Sequence, residues 1–397
     1  MLSAMSSTSR VRHGEHAGRV TTVELFFDLV YVFAVTQLSH LLLTHPSPVG
    51  ALKAAVVLAM VWQVWVYTTW SLNYLDPARS SVRLMLLVVM AASLVLASQI
   101  PEAYAGHQAL LLAGAYVAVQ VGRALFEIWA LRGDVLQMVF VRVLPWSAVT
   151  GAVVIVGACV PNTGVRAGLW AVAVAVDLCG AASGFWLPRV GASDTADWTI
   201  SGGHFAERCQ AFVLIALGES VVIIGERANL YHGATEDIVA FALAFAGAVA
   251  LWWVYFDRSA EDSAREIEAS ADPGRLARNA FHFVHPLIVA GIIVTAAADE
   301  RLLHEPGHHA HGSATWFALG GTALFLAGHA VFKAIVWRLA SWPRIVAVVV
   351  LLALVPLGPH VTGLVLGVIT LAVVLGVAVA DRVTHPPTLD LDAPAAR

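Results

Sequence analysis

Long apolar segments alternate with short polar connections along the chain. Each segment is about 18 to 25 residues long, enough for a helix to cross a hydrocarbon core of roughly 30 Å. The connections contain helix breakers, as in HPSP at 45–48 and LGPH at 357–360. The pattern predicts an all-α, polytopic membrane bundle of about twelve transmembrane helices, at 22–43, 51–74, 81–100, 108–131, 137–160, 165–187, 205–226, 235–257, 277–298, 314–339, 342–358 and 361–381.

Composition agrees with this prediction and argues against other protein classes. Hydrophobic residues make up 59% and charged residues 13% of the 397 residues, whereas a soluble domain is about a quarter charged. The net charge is −4 and the basic residues are scattered, so nucleic acid is not an expected partner. Cys159, Cys179 and Cys209 lie in apolar segments without CxxC spacing, which argues against a disulfide framework or a structural zinc site.

The distribution of basic residues predicts the orientation of the chain. Arginine and lysine are retained on the cytoplasmic face of a membrane. If the N-terminus is inside, the outside segments hold only Lys53, Arg166, Arg227 and Arg301, and the remaining basic loop residues are inside. Both termini are therefore expected in the cytoplasm. The first 19 residues lack the apolar core of a signal peptide, so the first helix should remain as an anchor.

The two halves of the chain resemble each other in the same order. WVY at 65–67 returns at 253–255, and GRALFE at 122–127 returns as GHAVFK at 328–333. Six helices per half would give both halves the same orientation, related by an axis along the membrane normal. Chance similarity between apolar helices is the alternative. The predicted organisation is a cytoplasmic N-terminal segment, a membrane half, a cytoplasmic linker, a second membrane half and a cytoplasmic tail, at 1–21, 22–187, 188–204, 205–381 and 382–397.

Two carboxylates lie on one face of the first helix. Glu24 and Asp28, in VELFFDLVYVF, are four residues apart and therefore one turn apart. Such a pair can share a proton, bind a cation or pair with arginines of another helix. For Glu24, attraction to the positive N-terminal end of the helix is an equally good explanation. For Asp28, the functional interpretation is favoured.

Helix seven carries a second group of polar residues, Glu207, Arg208, Glu219 and Ser220. Glu219 should lie roughly 18 Å along the axis from Glu207, near or beyond the bilayer midplane. A carboxyl group at that depth is expected to avoid lipid. It would either act in transport or catalysis, or remain protonated and bonded to a neighbouring helix.

Helices four, nine and ten contribute the remaining candidates. His282 and His285 are three residues apart beside Pro286, and two packed histidines at a kink are favoured over a metal site, which needs a further ligand. Arg123 and Glu127 are four residues apart, so an internal ion pair is the default interpretation. The corresponding residues of the second half are His329 and Lys333.

Most of these residues fall at the predicted cytoplasmic ends of their helices. The sequence therefore predicts one polar cavity that opens to the cytosol, with Glu219 at its deeper end. Aromatic residues of helix two could line it for an apolar or cationic ligand, unless they form an interfacial belt. The candidate substrate- or ion-binding residues are Glu24, Asp28, Arg123, Glu127, Glu207, Arg208, Glu219, Ser220, His282, His285, His329 and Lys333.

Several long motifs resemble the bacterial low temperature requirement protein A (LtrA) family. They are VELFFDLVYVFAVTQLSH, ERCQAFVLIALGESVV, HPLIVAGI and GHAVFK. The resemblance implies an integral protein of the bacterial cytoplasmic membrane, and the family name describes a growth phenotype without a mechanism. It draws attention to Glu24, Asp28, Glu207, Arg208, Gly218, Glu219, Ser220 and His329. The chain departs from the family pattern at Cys209 and Gln210, although the flanking motifs are intact.

Three functions are compatible with the sequence. The first is a secondary transporter or permease-like protein that couples to protons or cations through Glu219 and Asp28. The second is an intramembrane enzyme acting on a lipid or isoprenoid-phosphate substrate, with Arg123, Arg208 and Lys333 as phosphate ligands. The third is a membrane stress protein without turnover. The chain has no Walker A, GxSxG, HExxH or DDxxD motif, and no cofactor, metal or oligomeric state is predicted.

Overall fold

A computed structural model of the chain describes residues 20–195, 198, 200–228, 235–257, 259–310 and 312–384. Within these ranges the secondary structure is helical and contains no β-strand. The helices in chain order are α1 (Thr22–Thr44), α2 (Pro48–Tyr74), α3 (Ser80–Ser98), α4 (Gly106–Ala130), α5 (Gln137–Cys159), α6 (Thr163–Ala182), α7 (Gly202–Ala228), α8 (Thr235–Phe256), α9 (Ser259–Glu268), α10 (Pro273–His304), α11 (Ser313–Trp337), α12 (Trp342–Ala353) and α13 (Gly363–Thr384). The predicted N-terminal segment 1–21 and tail 382–397 lie mostly outside the described residues.

The predicted all-α polytopic membrane bundle is confirmed. Eleven helices of the described part of the chain are long and apolar enough to cross a membrane. The predicted helix at 342–358 differs, because α12 has only 12 residues and is followed by a 3-10 helix at Val355–His360. Pro356 and Pro359 have no backbone N–H group, so α-helical hydrogen bonding cannot continue through them.

The outer faces of the helices are apolar, as contact with lipid requires. Leu84 and Val88 of α3 are 62% and 61% exposed, and Val149 of α5 is 55% exposed. Exposed apolar side chains of this kind recur on helices of both halves. An apolar surface on this scale needs lipid around it, because water would not cover it favourably.

The second helix, α2, lies at the centre of the bundle. Every residue from Met60 to Leu75 is buried, including the polar Gln63, Thr68 and Asn73. The helices α1, α4, α6, α7 and α10 pack around it. A helix that is buried on all sides is apolar around its circumference rather than amphipathic. The polar side chains of α2 therefore face other helices.

The helices of the two halves pack in corresponding pairs. In the first half, α1 packs on α3, α3 on α4, α4 on α5, α5 on α6, and α2 on α6. In the second half, α7 packs on α10, α10 on α11, α11 on α12, α12 on α13, and α8 on α13. The halves differ in one respect: α8 exposes Phe245, Trp252 and Trp253, whereas its counterpart α2 is central.

Helix α10 begins irregularly and then packs closely against α11. Residues Arg278–Val284 form a π-helix, a rare element that is frequent at functional sites. Further along, a Cβ atom at Gly291 would overlap the backbone of Phe325 in α11. A Cβ atom at Gly328 of α11 would lie 3.0 Å from the backbone nitrogen of Ile288. Small residues at such crossings let two membrane helices approach closely, so α10 and α11 form a tightly joined pair.

The linker between the halves has different boundaries from those predicted. The predicted helix at 165–187 ends at Ala182, because Gly184 and Phe185 have φ angles of +64° and +54°, which α-helices do not allow. α7 begins at Gly202 rather than at 205. The mixed-charge segment before α10 contains α9, which packs on α7. There Glu268 accepts a hydrogen bond from Gly203 N at 2.9 Å.

Candidate functional site

Helices α1 and α7 run in the same direction and are joined by three polar contacts. His204 Nε2 lies 2.7 Å from Glu24 Oε1, and Arg208 Nη2 donates to Asp28 Oδ1 at 2.8 Å. Further along the same pair of helices, Thr36 Oγ1 donates to Glu219 Oε2 at 2.5 Å. The three contacts define a polar seam, which we call the α1/α7 seam. It brings three predicted carboxylates, Glu24, Asp28 and Glu219, to one interface.

Arg208 is fully buried at this seam. Its guanidinium lies over the rings of Phe27 and Trp65, 5.5 and 5.7 Å from their centroids. Trp65 Nε1 also donates to Asp28 Oδ1 at 2.8 Å. Arg208 Nε and Nη1 and Asp28 Oδ2 have no hydrogen-bond partner in the described chain. The pair is therefore incompletely satisfied, although both side chains are removed from solvent.

The π-helical start of α10 is bonded to the centre of α2. His282 Nε2 lies 2.8 Å from Gln63 Oε1. Pro286 lacks the N–H group that would bond to the carbonyl of His282 in a regular α-helix. Trp62 Nε1 donates to that carbonyl at 3.0 Å instead. The irregular segment of α10 thus depends on side chains of α2 for its hydrogen bonds.

A second histidine of α10 faces helices of its own half. His285 Nε2 lies 2.9 Å from the hydroxyl of Tyr255 in α8. The ring of Tyr255 also packs on His329 of α11, with centroids 5.8 Å apart. His329 is fully buried, and neither of its ring nitrogens has a hydrogen-bond partner in the described ranges. Its neighbours include Phe325 and Phe332, so its surroundings are largely aromatic.

A cavity lies beside α2 and is lined by residues of α2, α4, α5, α6 and α10. Three α2 rings on successive turns line it, and each contacts a ring from elsewhere in the chain. Their centroid distances are 6.2 Å for Tyr67 and Phe185, 5.4 Å for Trp70 and Trp198, and 6.1 Å for Tyr74 and Phe140. Six aromatic side chains therefore line the cavity in three contacting pairs.

Charged groups from α4 and α10 also line this cavity, which we call the α2 cavity. Arg123 Nε lies 3.7 Å from Glu127 Oε1, and Arg123 Nη1 donates to Thr68 Oγ1 at 3.4 Å. Glu127 is also bonded to the hydroxyl of Ser71. From α10, Arg278 and His282 line the cavity. Successive spans alternate in direction, so the ends of α2, α4 and α6 and the starts of α5 and α10 lie on the same side of the bundle. The lining residues come from these parts of the helices.

The relationship to known proteins agrees with this architecture. The family model of the bacterial low temperature requirement A protein (LtrA) matches residues 19–379. The chain belongs to the LtrA family. An uncharacterized protein of Rhizobium meliloti (strain 1021) is similar to it, with 36% identity over 364 residues, covering 91% of this chain and 88% of that protein. No solved structure matches the chain.

In this LtrA chain, the twelve candidate residues fall into separate groups instead of one cavity. Three of them, Arg123, Glu127 and His282, line the α2 cavity. The α1/α7 seam holds Glu24, Asp28, Arg208 and Glu219, and the α10/α11 contact holds His285 and His329. The single cavity with Glu219 at its deeper end is therefore not what the structure contains, since Glu219 lies on the seam beside Thr36.

The other candidates lie apart from both groups. Glu207 is exposed, and its Oε2 accepts a hydrogen bond from Val20 N at 3.3 Å. Ser220 is buried, with no hydrogen-bond partner for its hydroxyl in the described residues. Lys333 Nζ lies 3.9 Å from Asp381, which is held chiefly by Arg344 at 2.6 and 2.8 Å. The second half thus has an ion cluster where the first half has Arg123 and Glu127.

The described residues of this family member contain no group of three or more His, Cys, Asp or Glu side chains that could hold a metal ion. Both histidines of the predicted pair are instead hydrogen-bonded, His282 to Gln63 and His285 to Tyr255. The interpretation of packed, hydrogen-bonded histidines next to Pro286 agrees with this geometry. No residue set suggests a particular cofactor.

The aromatic and charged residues of the α2 cavity include four from outside α2 that were not singled out from the sequence as candidates: Phe140, Phe185, Trp198 and Arg278. Three of them lie at or beyond the helix ends, where hydropathy gives no functional signal. The sequence pointed to Arg278 only as one of the basic residues that predict the orientation of the chain in the membrane. The available signal in the sequence was an aromatic residue, Trp198, within the polar linker. In the structure Trp198 is only 6% exposed although its neighbours are polar.

The bond between Gln63 and His282 gives a direct test of this packing. We expect Gln63→Leu to lower the free energy of unfolding by about 1–3 kcal/mol, because His282 Nε2 would be left buried without a partner. The double variant Gln63→Leu/His282→Phe should recover much of that loss. Equilibrium unfolding in mixed micelles measures both. Equal losses in the single and double variants would contradict the assigned bond.

Proposed function

We propose that the chain is a secondary transporter or permease-like protein that takes a small organic substrate into the α2 cavity. The observation that carries this proposal is the position of the cavity, lined by α2, α4, α5 and α6 of the first half and by α10 of the second. Substrate sites of duplicated transporters lie at such contacts between halves. We further propose that the corresponding helix pairs arose from one duplicated six-helix unit.

The α1/α7 seam supplies the carboxylates for ion coupling. Glu24 and Asp28 lie near one end of the span, and Glu219 lies past its middle, 17 residues after the first residue of α7, or roughly 26 Å along the axis. Ionisable groups retained at such depth are costly and mark ion paths. Trp65 connects the α1/α7 seam with the α2 cavity. It donates a hydrogen bond to Asp28, and residues near Trp65 in α2 line the cavity.

The orientation follows from the distribution of arginines in the sequence. With the N-terminus inside, the lined ends of α2, α4 and α6 lie at the cytoplasmic face. The α2 cavity would then open toward the cytosol, and Thr36 and Glu219 would lie nearer the external face. Substrate would reach the cavity from the cytosol in the state described here.

Flux measurements test the proposal. Proteoliposomes containing trapped pyranine would be given gradients of benzenesulfonate or phenyltrimethylammonium, which are permanently charged and do not cross lipid readily. We expect one of them to move with an accompanying change in internal pH. Glu219→Gln should lower this rate by at least about tenfold, equivalent to about 1.4 kcal/mol in the barrier, without altering binding of the probe. Transport would be excluded if no ion-dependent flux were observed and the substitution Glu219→Gln changed no measured flux.

The exposed Glu102 offers a matched control, since Glu102→Gln removes the same charge outside the helices. Its flux should equal that of the unmodified protein. A similar loss in both variants would mean that surface charge, rather than the seam, limits the rate.

A second candidate is an enzyme acting on a phosphate-bearing lipid. The observation favouring it is that two guanidinium groups, Arg123 and Arg278, line the same aromatic cavity, and arginine is well suited to phosphate. Arg208 and Lys333 do not line it. Mass spectrometry of lipids retained through purification distinguishes the candidates: a phospholipid or isoprenoid phosphate that is lost in Arg123→Gln supports the enzyme.

A further inference from the structure

We propose that the α2 cavity binds an organic anion with a flat apolar body, and that the anion binds together with a proton carried by Glu127. This inference rests on the proposed function, since it names the substrate class of the same cavity.

Arg123 is held more loosely than the other arginines that are buried in charged pairs. Arg344 bonds Asp381 at 2.6 and 2.8 Å, and Arg208 bonds Asp28 at 2.8 Å. Arg123 has contacts of 3.4 Å to Thr68 and 3.7 Å to Glu127, although it is only 2% exposed. A buried guanidinium needs close anionic or acceptor partners. Its side chain lines the cavity, so an anion there would supply them.

The hydroxyl of Ser71 shows why Glu127 should carry a proton. This hydroxyl has one hydrogen but two neighbouring acceptors, the carbonyl of Tyr67 at 2.8 Å and Oε1 of Glu127. An ionised Glu127 would compete with the carbonyl for that hydrogen. A protonated Glu127 donates its own hydrogen to Ser71 Oγ, and Ser71 then donates to Tyr67. A protonated carboxyl group therefore gives each of the two contacts a hydrogen of its own.

A bound anion can replace the partner that Arg123 loses when Glu127 takes up a proton. With Glu127 ionised, Arg123 and Glu127 form an ion pair inside the bundle. With a proton on Glu127, Arg123 loses this ion-pair partner, and one anion in the cavity can take its place. The proton comes from solution and stays on the carboxyl oxygen, and no covalent bond of the anion changes. Uncompensated charge within a membrane bundle is costly, which links the binding of the proton to that of the anion.

The titratable and charged groups around Glu127 leave this balance intact. Those contributed by α2, α4, α6 and α10 are Tyr67, Tyr74, Arg123, Asp177, Arg278 and His282. Asp177 accepts from the hydroxyl of Tyr67 at 3.4 Å, and His282 is bonded to Gln63. Helix α5 contributes only apolar side chains to the lining. Glu127 is therefore the carboxyl group that both lines the cavity and pairs with Arg123.

The rings define the body of the ligand. The rings of Tyr67, Trp70 and Tyr74 contact those of Phe185, Trp198 and Phe140 in tilted or edge-to-face arrangement, with centroids 5.4 to 6.2 Å apart, and all six line the cavity. Aromatic pairs favour flat partners in stacked or edge-to-face contact. An organic cation would also favour ring faces, but Arg123 already covers Tyr67, 5.2 Å from its ring centroid, and Arg278 lines the same cavity. The lining thus favours a flat anion over a flat cation.

Equilibrium binding of benzenesulfonate to the purified full-length protein in nanodiscs tests the inference. This probe stays ionised at every pH used, so a pH effect reports on the protein. Isothermal titration calorimetry at pH 6, 7, 8 and 9 should show its Kd rising with pH, by up to about tenfold per unit once Glu127 ionises. The uncharged benzenesulfonamide should bind more weakly than benzenesulfonate at pH 6.

Three variants locate the effect. Glu127→Gln should keep tight binding and remove the pH dependence, because the amide can still donate to Ser71 without ionising. Arg123→Gln should weaken benzenesulfonate by at least about tenfold, through loss of a charge-assisted hydrogen bond, and leave benzenesulfonamide unchanged. The exposed Arg382 provides the control, and Arg382→Gln should behave as the unmodified protein.

The outcomes separate this inference from transport. Binding that requires Arg123 and a proton on Glu127, but without flux in proteoliposomes, would support the inference and refute the proposed function. Flux of phenyltrimethylammonium without benzenesulfonate binding would overturn the inference alone. Equal affinity for the sulfonate and the sulfonamide, or an unchanged pH dependence in Glu127→Gln, would also overturn it. If Arg123→Gln does not fold, the comparison of benzenesulfonate with benzenesulfonamide and the pH dependence of binding in Glu127→Gln still test the inference.

Discussion

Arg208→Met should destabilise the protein more than any other removal of a single charge discussed here. Arg208 and Asp28 are both buried, and Arg208 Nη2 lies 2.8 Å from Asp28 Oδ1. Removing the arginine leaves a buried carboxylate with Trp65 as its remaining donor. We expect the free energy of unfolding to fall by about 3–5 kcal/mol. Circular dichroism during unfolding in mixed micelles of sodium dodecyl sulfate and dodecyl maltoside measures the change.

Asp28→Asn should rescue part of this loss when it is combined with Arg208→Met. The amide is uncharged and can still accept from Trp65, so the double variant leaves neither charge of this ion pair. The exposed pair of Arg382 and Asp257, 3.8 Å apart, provides a comparison, and Arg382→Met should cost at most about 1 kcal/mol. If Arg208→Met proved as mild as Arg382→Met, the buried ion pair would not stabilise the seam.

Gly291→Ala should destabilise the contact between α10 and α11 although it adds only a single methyl group. The added Cβ atom would overlap the backbone of Phe325, so α10 and α11 would have to separate. We expect a loss of about 1–3 kcal/mol in the free energy of unfolding. Gly291→Leu should prevent folding. Displacement of α10 would also move His282, so benzenesulfonate binding should weaken in Gly291→Ala.

A glycine of α4 offers the matched comparison. A Cβ atom at Gly114 would meet no atom within 4 Å. Gly114→Ala should therefore raise stability by up to about 1 kcal/mol, the difference in helix propensity. Thermal unfolding of the two variants under the same conditions gives opposite shifts if close packing of α10 and α11 matters. Shifts of the same sign would refute the close approach.

The helices could be predicted from the sequence because lipid imposes a simple requirement. Every backbone polar group in the hydrocarbon core must bond within its own helix, so a long apolar segment leaves few alternatives. The prediction failed where local backbone chemistry overrides hydropathy. Pro356 and Pro359 end the α-helix near 354, and the positive φ angles of Gly184 and Phe185 end α6 before its apolar sequence does.

The buried charges were also recognisable, but most of their partners were not. Glu24 and Asp28 are four residues apart, as are His204 and Arg208, so two matching pairs can align when α1 and α7 run in the same direction. Hydropathy alone does not reveal that register. It also suggested that Glu219 shares a cavity with the other candidates. Depth along a helix gives height in the membrane but says nothing about the direction in which a side chain faces.

The α2 cavity shows a further limit. Its α2 wall could be anticipated from the aromatic residues of that helix, and Arg123 and Glu127 from their spacing. The aromatic lining also depends on Phe185 and Trp198, which lie between α6 and α7 and contact the α2 rings. A ring at the end of a helix acquires its position only through long-range packing, and a sequence pattern over a few turns carries no information about that.

The central burial of α2 also constrains how the protein is made. Two of its polar side chains have partners far downstream: Asn73 accepts from Ser201 N, and Gln63 bonds His282, separated by 128 and 219 residues. During synthesis, α2 enters the membrane long before these partners leave the ribosome. Its polar groups must then stay in the translocon, contact lipid or bond temporarily to α1. We expect truncated chains that end before α10 to be retained by the insertion machinery or degraded, so the chain matures as one unit.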